Sequence, residues 1–417
     1  MKPYNSYKPN GVSWIPEVPS HWELKQLRAY LKLISYKGHG DKQLLSVTRE
    51  QGVIIRNVDS KEENHNYIPD DLSGYKLIRP GQFAVNKMKS WQGSYGVSKY
   101  EGIVSPAYYV CDLNFPCKEF FSMAIRSKAY IPFFSQMSKG IRVDQWDLST
   151  IALKSIYFAE PPLDEQEAIV SFLYSKTSKI DSYVTERERE LTALEELRQA
   201  EIARAVTHGL NPDVPMRDSG IPWLGKIPAH WKTEKINAHF KERRVKVSDK
   251  DYPALSVAKI GVVPQLDDAV KTDNGDNRKL VRNGDFVVNS RSDRKGSCGV
   301  ASQDGSVSLI NIVLEIIDMN KDYVHLLFRS NNYIEEFYRN GRGIVADLWT
   351  TRYSEMRNII IPIPPIEEQQ AIVDYINSKT AKIDGLIADL SAQIEKLREY
   401  KQRLIADAVT GQIDVRK

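Results

Sequence analysis

Two stretches of the chain carry apolar residues at alternating steps of three and four. In the later one, Ile383, Ile387, Leu390, Ile394, Leu397, Lys401, Leu404 and Ala408 trace the a/d stripe of a coiled coil. The earlier one places Ile180, Val184, Arg187, Leu191, Leu194, Arg198, Glu201 and Ala205 at the same steps, so its stripe is interrupted by charge. Pro161-Pro162 and Pro364-Pro365 stand just before acidic first turns, where proline costs no hydrogen bond and carboxylates meet the helix dipole. The spacing predicts a helix from Asp164 to Thr207, roughly 66 Å long, and a second one like it at the end of the chain. Since the first leads from one globular segment to the next and the second starts there, pairing their stripes requires an antiparallel arrangement.

Outside these stretches the pattern changes to short alternating runs rich in β-branched and aromatic residues. Residues 44–48, 53–58, 82–88 and 102–110 read as strands. Residues 119–137 and 322–338 show helical spacing, with Pro132 a possible break in the former.

The chain repeats itself. Residues 161–210 and 364–413 align without a gap at an offset of 203 and share 21 identities over 50 positions. The same offset relates Gly81, Phe83 and Asn86 to Gly284, Phe286 and Asn289, and Arg126-Ser127 to Arg329-Ser330. Trp14, Pro19, His21 and Trp22 match Trp223, Pro228, His230 and Trp231 at an offset of 209. The predicted organisation is therefore a domain over 1–160, a helix over 161–210, a domain over 211–363 and a helix over 364–417. The expected fold class is α+β: two mixed α/β domains separated by two long antiparallel coiled-coil helices, a pseudo-two-fold dumbbell.

Composition narrows the chemistry. At 417 residues with 41% hydrophobic and 27% charged, the chain is long enough for several folding units and is not a disordered or fibrous one. No run reaches the length of a membrane span, and the first residues lack the apolar centre of a signal peptide, so a cytoplasmic protein without a membrane partner is expected. Cys111, Cys117 and Cys298 fall at no metal spacing and give no disulfide framework. The net charge of +4 permits a polyanionic partner without demanding one, so the placement of charge decides.

That placement points to one loop in each copy, after a strand ending in asparagine. The first reads Asn86-Lys87-Met88-Lys89-Ser90-Trp91-Gln92-Gly93 and the second Asn289-Ser290-Arg291-Ser292-Asp293-Arg294-Lys295-Gly296. Lys139 and Arg142, against Arg342, form a second basic spot in matched positions. Lysine and arginine neutralise phosphates, and arginine or glutamine makes bidentate bonds to base edges. A framework kept while its tip changes fits two equivalent sites reading different sequences. The repeated tryptophans and His21/His230 read instead as framework, and a lone repeated histidine is no zinc site. The chain has no G-x-x-x-x-G-K-[ST] loop, no Asn-Pro-Pro-aromatic tetrapeptide and no nuclease-like carboxylate-lysine cluster, and is expected to be non-catalytic. The Gly38-His39-Gly40 and Gly341-Arg342-Gly343 triplets do not continue into a nucleotide cradle.

Taken together, the Trp-x-x-x-x-Pro-x-His-Trp motif, the Pro-Pro-x-x-Glu-Gln helix starts, the Ser-Lys-Thr-x-Lys-Ile-Asp stretch and the duplication resemble the specificity subunits of type I DNA restriction-modification systems. The resemblance implies two target-recognition domains, each reading half of a split sequence in double-stranded DNA, and partner methyltransferase and restriction subunits that supply the chemistry. It implies no cofactor in this chain, with S-adenosylmethionine, ATP and Mg on the partners. Glu165, Gln166, Lys176 and Lys179 recur as Glu368, Gln369, Lys379 and Lys382, a surface presented twice, as two copies of one methyltransferase subunit would require. The charge at Arg187, Arg198 and Glu201 departs from the apolar seam expected. Two alternatives stand beside this reading: the recognition half of a single-chain nuclease-methyltransferase, and a scaffold for two ligands other than DNA.

Overall fold

The computed structural model describes residues 2–12, 15–58, 68–140, 146–265, 275–343 and 349–416. The chain forms two compact units, one of residues 1–187 and 392–417, the other of residues 188–391.

In each unit a four-stranded antiparallel sheet carries the core. The first runs in the order Leu31–Ile34, Tyr108–Leu113, Phe83–Asn86, Tyr95–Val97. The second runs Phe240–Glu242, Asn311–Ile316, Phe286–Asn289, Cys298–Val300. Registers agree as well: Val110 faces Ala84 and Val313 faces Val287, both pairs related by the offset of 203. Period-two alternation splits the central strands between two apolar clusters. Phe83 and Val85 join the larger cluster with the helices, while Ala84 joins a smaller one with Leu45, Val47 and Val53. Phe286, Val288 and Val287 repeat the division.

The expected helix over 119–137 is two, Lys118–Ile125 and Ile131–Met137, and its partner is likewise Lys321–Phe328 and Asn331–Arg339. Proline is not the cause, because the second copy breaks at the same place without one. The break follows Arg126 and Arg329, whose guanidinium groups bond backbone carbonyls instead. Arg126 donates to Tyr95 O (2.6 Å), Glu50 O (2.7 Å) and Arg49 O (3.2 Å). Arg329 donates to Lys259 O (2.6 Å) and Cys298 O (3.3 Å). Each arginine pins the tip of the hairpin preceding it, Leu45–Thr48 with Gly52–Ile55 or Leu255–Ala258 with Gly261–Pro264, to the sheet. The segment expected as one strand over 102–110 is also two, Gly102–Val104 and Tyr108–Leu113, divided at Ser105-Pro106-Ala107.

The long helices run Leu163–His208 and Ile366–Val409. Along the second helix the stripe residues are buried or half-buried, with Ile383, Leu390, Ile394, Leu404 and Ala408 buried; along the first they are half-buried up to Glu201, and Ala205 is buried. Within the first unit, the start of the first helix packs on the end of the second: Leu173 and Ile180 share a cluster with Leu404 and Ala408. Within the second unit the helices are antiparallel, since Arg198 meets Asp384 while Glu201, farther along, meets Tyr375. The charges in the stripe are accounted for here. Lys401 bonds Asp181 (2.6 Å) and Arg198 bonds Asp384 (2.8 Å), the same pair of positions exchanged between copies. Glu201 accepts from the Tyr375 hydroxyl (3.1 Å), and Arg187 lies over the Tyr183 ring.

Candidate nucleic-acid interface

In both copies the basic loop leaves a buried strand, makes one tight turn and returns through a glycine. The turns are Ser90–Gln92 and Ser292–Arg294, and Gly93 and Gly296 have φ of +98° and +78°, which glycine adopts without steric cost. What fixes each loop is an irregular segment of far higher residue number, joined through isolated β-bridges. Leu148 N–H donates to Lys87 O (3.0 Å), and Asp147 and Lys139 exchange both backbone hydrogen bonds (2.9 and 3.0 Å). In the second copy Thr351 N–H donates to Ser290 O (2.9 Å), and Thr350 and Arg342 exchange both bonds (3.0 and 3.2 Å). The two basic spots read separately from sequence are thus stitched into one surface in each copy, by the same set of backbone bonds.

On that frame the tips differ. Lys89 is exposed and Lys87 half-buried, its ammonium bonded to Asp147 (2.9 Å), which raises its pKa. Trp91 is half-buried with its ring edge-on to Trp146, centroids 5.5 Å apart. Gln92 lines a groove of about 1060 Å³ with Arg49, Lys99, Lys118 and Lys128. In the second copy Arg291 and Arg294 reach Asp293 (3.4 and 3.7 Å), Lys295 reaches Glu335 (2.6 Å), and the well-exposed Arg342 lies 3.9 Å from Glu355. Arg291 and Arg294 also border a cleft of about 310 Å³ with Gln265, Asn289, Ser308 and Asn311, a wall of amide and guanidinium edges.

The other expected contact residues are placed as follows. Ser90 is fully buried, its hydroxyl bonded to Lys87 O (3.2 Å), so it shapes the turn and faces no ligand. Arg142 lies outside the described residues, as does Trp14, and for Ser292 only the backbone is described. Of the repeated helix-start residues, Glu165, Gln166 and Gln369 are buried and form no outer surface. Gln166 donates to Pro161 O (2.8 Å) and accepts from Cys117 N–H (3.3 Å); Gln369 donates to Pro364 O (2.9 Å) and accepts from Asn320 N–H (2.8 Å). Each glutamine satisfies a carbonyl ahead of its helix and fastens a second helix beside it. Glu165 meets His21 (2.8 Å) and the Tyr4 hydroxyl. Glu368 meets His230 (2.6 Å) and Trp231 Nε1 (2.8 Å) and is itself half-buried. The repeated histidines and the buried Trp22 and Trp231 are framework, holding each domain to a helix start. Lys176, Lys179 and Lys382 are exposed and Lys379 half-buried.

Sequence reading missed Trp146 and its equivalent Trp349, which stand immediately before Asp147 and Thr350. The offset of 203 that found the loops relates them too. It also missed the acidic residues Asp147 and Glu335, which reach the loops from distant segments.

This is a duplicated two-domain protein on paired long helices, with a polar basic surface at one loop cluster per domain. Residues 246–396 match the family described as the type I restriction modification DNA specificity domain. A protein of Methanocaldococcus jannaschii provisionally assigned as the MjaX type I restriction enzyme specificity subunit is 25% identical over 96% of both chains. The EcoBI specificity subunit of Escherichia coli is 22% identical over 71% of this chain and 66% of that one. A chain solved in work on complex assembly and conformational transition of the type I R-M system shares the fold, with a TM-score of 0.67 at 15% identity over 95% of this chain and 99% of that one. Over nearly its whole length the chain is similar to specificity subunits of type I restriction-modification systems, the non-catalytic component of such enzymes. Among the described residues no helix is long and apolar enough to cross a membrane.

Proposed function

We propose that this chain reads a bipartite sequence in double-stranded DNA, one half with each domain, and directs methyltransferase and restriction subunits to it. The observation that carries the reading is the pair of loops held by identical backbone bonds yet tipped with different side chains, Lys87, Lys89, Trp91 and Gln92 in one, Arg291, Arg294 and Lys295 in the other. A constant frame delivers side chains to a groove at a fixed height, and the variable tip decides which base edges they match. Lys139 and Arg342 add charge for the phosphates flanking each half-site.

The transferred methyl group, the ATP and the Mg belong to the partner subunits in this reading. Two methyltransferase copies bind, guided by the lysines that recur along the helices, the exposed Lys176 with the half-buried Lys379 and the exposed Lys179 with Lys382, and by Glu368. The test is replacement of Lys87, Lys89, Trp91 and Gln92 by alanine, followed by mapping of methylated positions. Recognition of one half-site should weaken or relax, each lost bidentate contact costing about 1–3 kcal/mol, with the other half unchanged. Loss of both halves together in a folded protein would remove the case for separate readers.

A further inference from the structure

We infer that carboxylates built into the reading surface, Asp147 in the first domain and Asp293 and Glu335 in the second, restrain its cations from DNA of the wrong sequence and so set specificity. The inference rests on the DNA-reading function proposed above.

Four of the five basic side chains at the loop tips, all but the exposed Lys89, are paired. Lys87 is held by Asp147, Arg291 and Arg294 share Asp293, and Lys295 is held by Glu335. These pairs reach solvent: the carboxylate side chains of Asp147, Asp293 and Glu335 are 46%, 44% and 70% exposed, although Oδ1 of Asp147 is itself buried. Ion pairs in such surroundings add little to stability, so fold maintenance does not explain them. Nor does inheritance from the duplicated ancestor. At the offset of 203, Asp147 corresponds to Thr350, and Asp293 corresponds to Ser90. The two domains place their carboxylates at unmatched positions and reach the same pairing, whereas the backbone frame is matched residue for residue.

The physical effect follows from charge. Affinity for any DNA sequence comes largely from cations displacing condensed counterions at phosphates. A lysine or arginine already neutralised by a carboxylate contributes little to that term, and the carboxylate itself repels a phosphate brought near it. At the right sequence the released carboxylate itself accepts a hydrogen bond from a base amino group, which offsets the broken pair and the repulsion. At a wrong sequence nothing does. The weak pairs therefore subtract from non-specific binding and leave specific binding nearly intact.

The experiment uses the full chain with Asp147→Asn, and with Asp293→Asn combined with Glu335→Gln. These changes keep shape and the backbone bonds of Asp147. Binding to a duplex carrying the methylated sequence and to a scrambled duplex is measured by fluorescence anisotropy over a range of salt. Scrambled DNA should bind about fivefold more tightly per carboxylate removed, as expected for deleting one close like-charge contact in water. The cognate duplex should change less than about twofold, and the salt slope for scrambled DNA should steepen by roughly one per cation released. Adding Lys87→Met to Asp147→Asn should cancel the gain. Unchanged or weaker binding to scrambled DNA overturns the inference, and so does equal tightening on both duplexes. If the unmodified chain itself does not distinguish the two duplexes, the reading function falls and this inference with it; if it does and the variants behave alike, the inference alone falls.

Discussion

Replacing Arg126 by alanine should destabilise the first domain by about 2–4 kcal/mol, and the corresponding Arg329→Ala change should cost the second about half as much. The figures follow from what each guanidinium holds. Arg126 donates to three carbonyls at 2.6, 2.7 and 3.2 Å. The bond to Tyr95 O is partly buried and those to Glu50 O and Arg49 O face solvent, so water replaces the latter two at small cost. A partly buried bond from a charged donor contributes about 1.5–3 kcal/mol, and the vacated space beneath the hairpin tip adds to this. Arg329 holds two carbonyls, and its short bond, to Lys259 O, is the exposed one. Arg126→Lys should recover part of the loss, a single ammonium reaching one carbonyl where the planar fork reaches several. Urea unfolding followed by circular dichroism gives the midpoints, and methylation mapping tells whether reading of one half-site suffers first. A loss below about 0.5 kcal/mol for Arg126→Ala, or a larger loss for Arg329→Ala, would refute the assignment of these arginines as clamps.

Two further outcomes are expected. Gly411 has φ of +73° and a Cβ there would strike Pro19 and approach Trp22, whereas at Gly209, φ +74°, the nearest atom would be the Trp231 ring at 3.1 Å; Gly411→Ala should cost about 2–4 kcal/mol and Gly209→Ala about 1–2, read as shifts in thermal midpoint. His325 accepts from Val300 N–H (3.2 Å) through Nδ1, and burial, with help from Arg329, pushes its pKa down to about 4. The unfolded chain therefore takes up this proton near pH 6.5 before the folded one does, so stability is full above that pH and falls by up to about 3 kcal/mol as the pH drops towards 4. His325→Asn should flatten that dependence in unfolding titrations at several pH values.

The sequence made some features plain and hid others for physical reasons. The duplication, the long helices and the loop positions were legible because they depend on local periodicity or on comparing the chain with itself. The helix break after Arg126 was not, because a guanidinium that turns away to bond carbonyls on another element leaves no mark in hydrophobic spacing. The role of Glu165 was hidden for a similar reason. Its partners Tyr4 and His21 lie 161 and 144 residues away, and only the fold shows that a repeated acidic residue is buried among them. The interrupted stripe looked like a defect in sequence, since the partners of Arg198 and Lys401 are 186 and 220 residues distant.

Those two cross-helix pairs also determine alignment. An apolar stripe repeating every seven residues packs nearly as well after sliding one heptad, so hydrophobic burial alone leaves the helices several ways to zip. Sliding by seven in one direction would set Asp181 opposite Ile394 and Asp384 opposite Leu191, pressing a carboxylate against an aliphatic side chain in both places. Exposed ion pairs of this kind add little to stability, yet each mispairing would strand a charge. Asp181, Lys401, Asp384 and Arg198 act as a key with a single fitting position, and the length along the helices is counted from it.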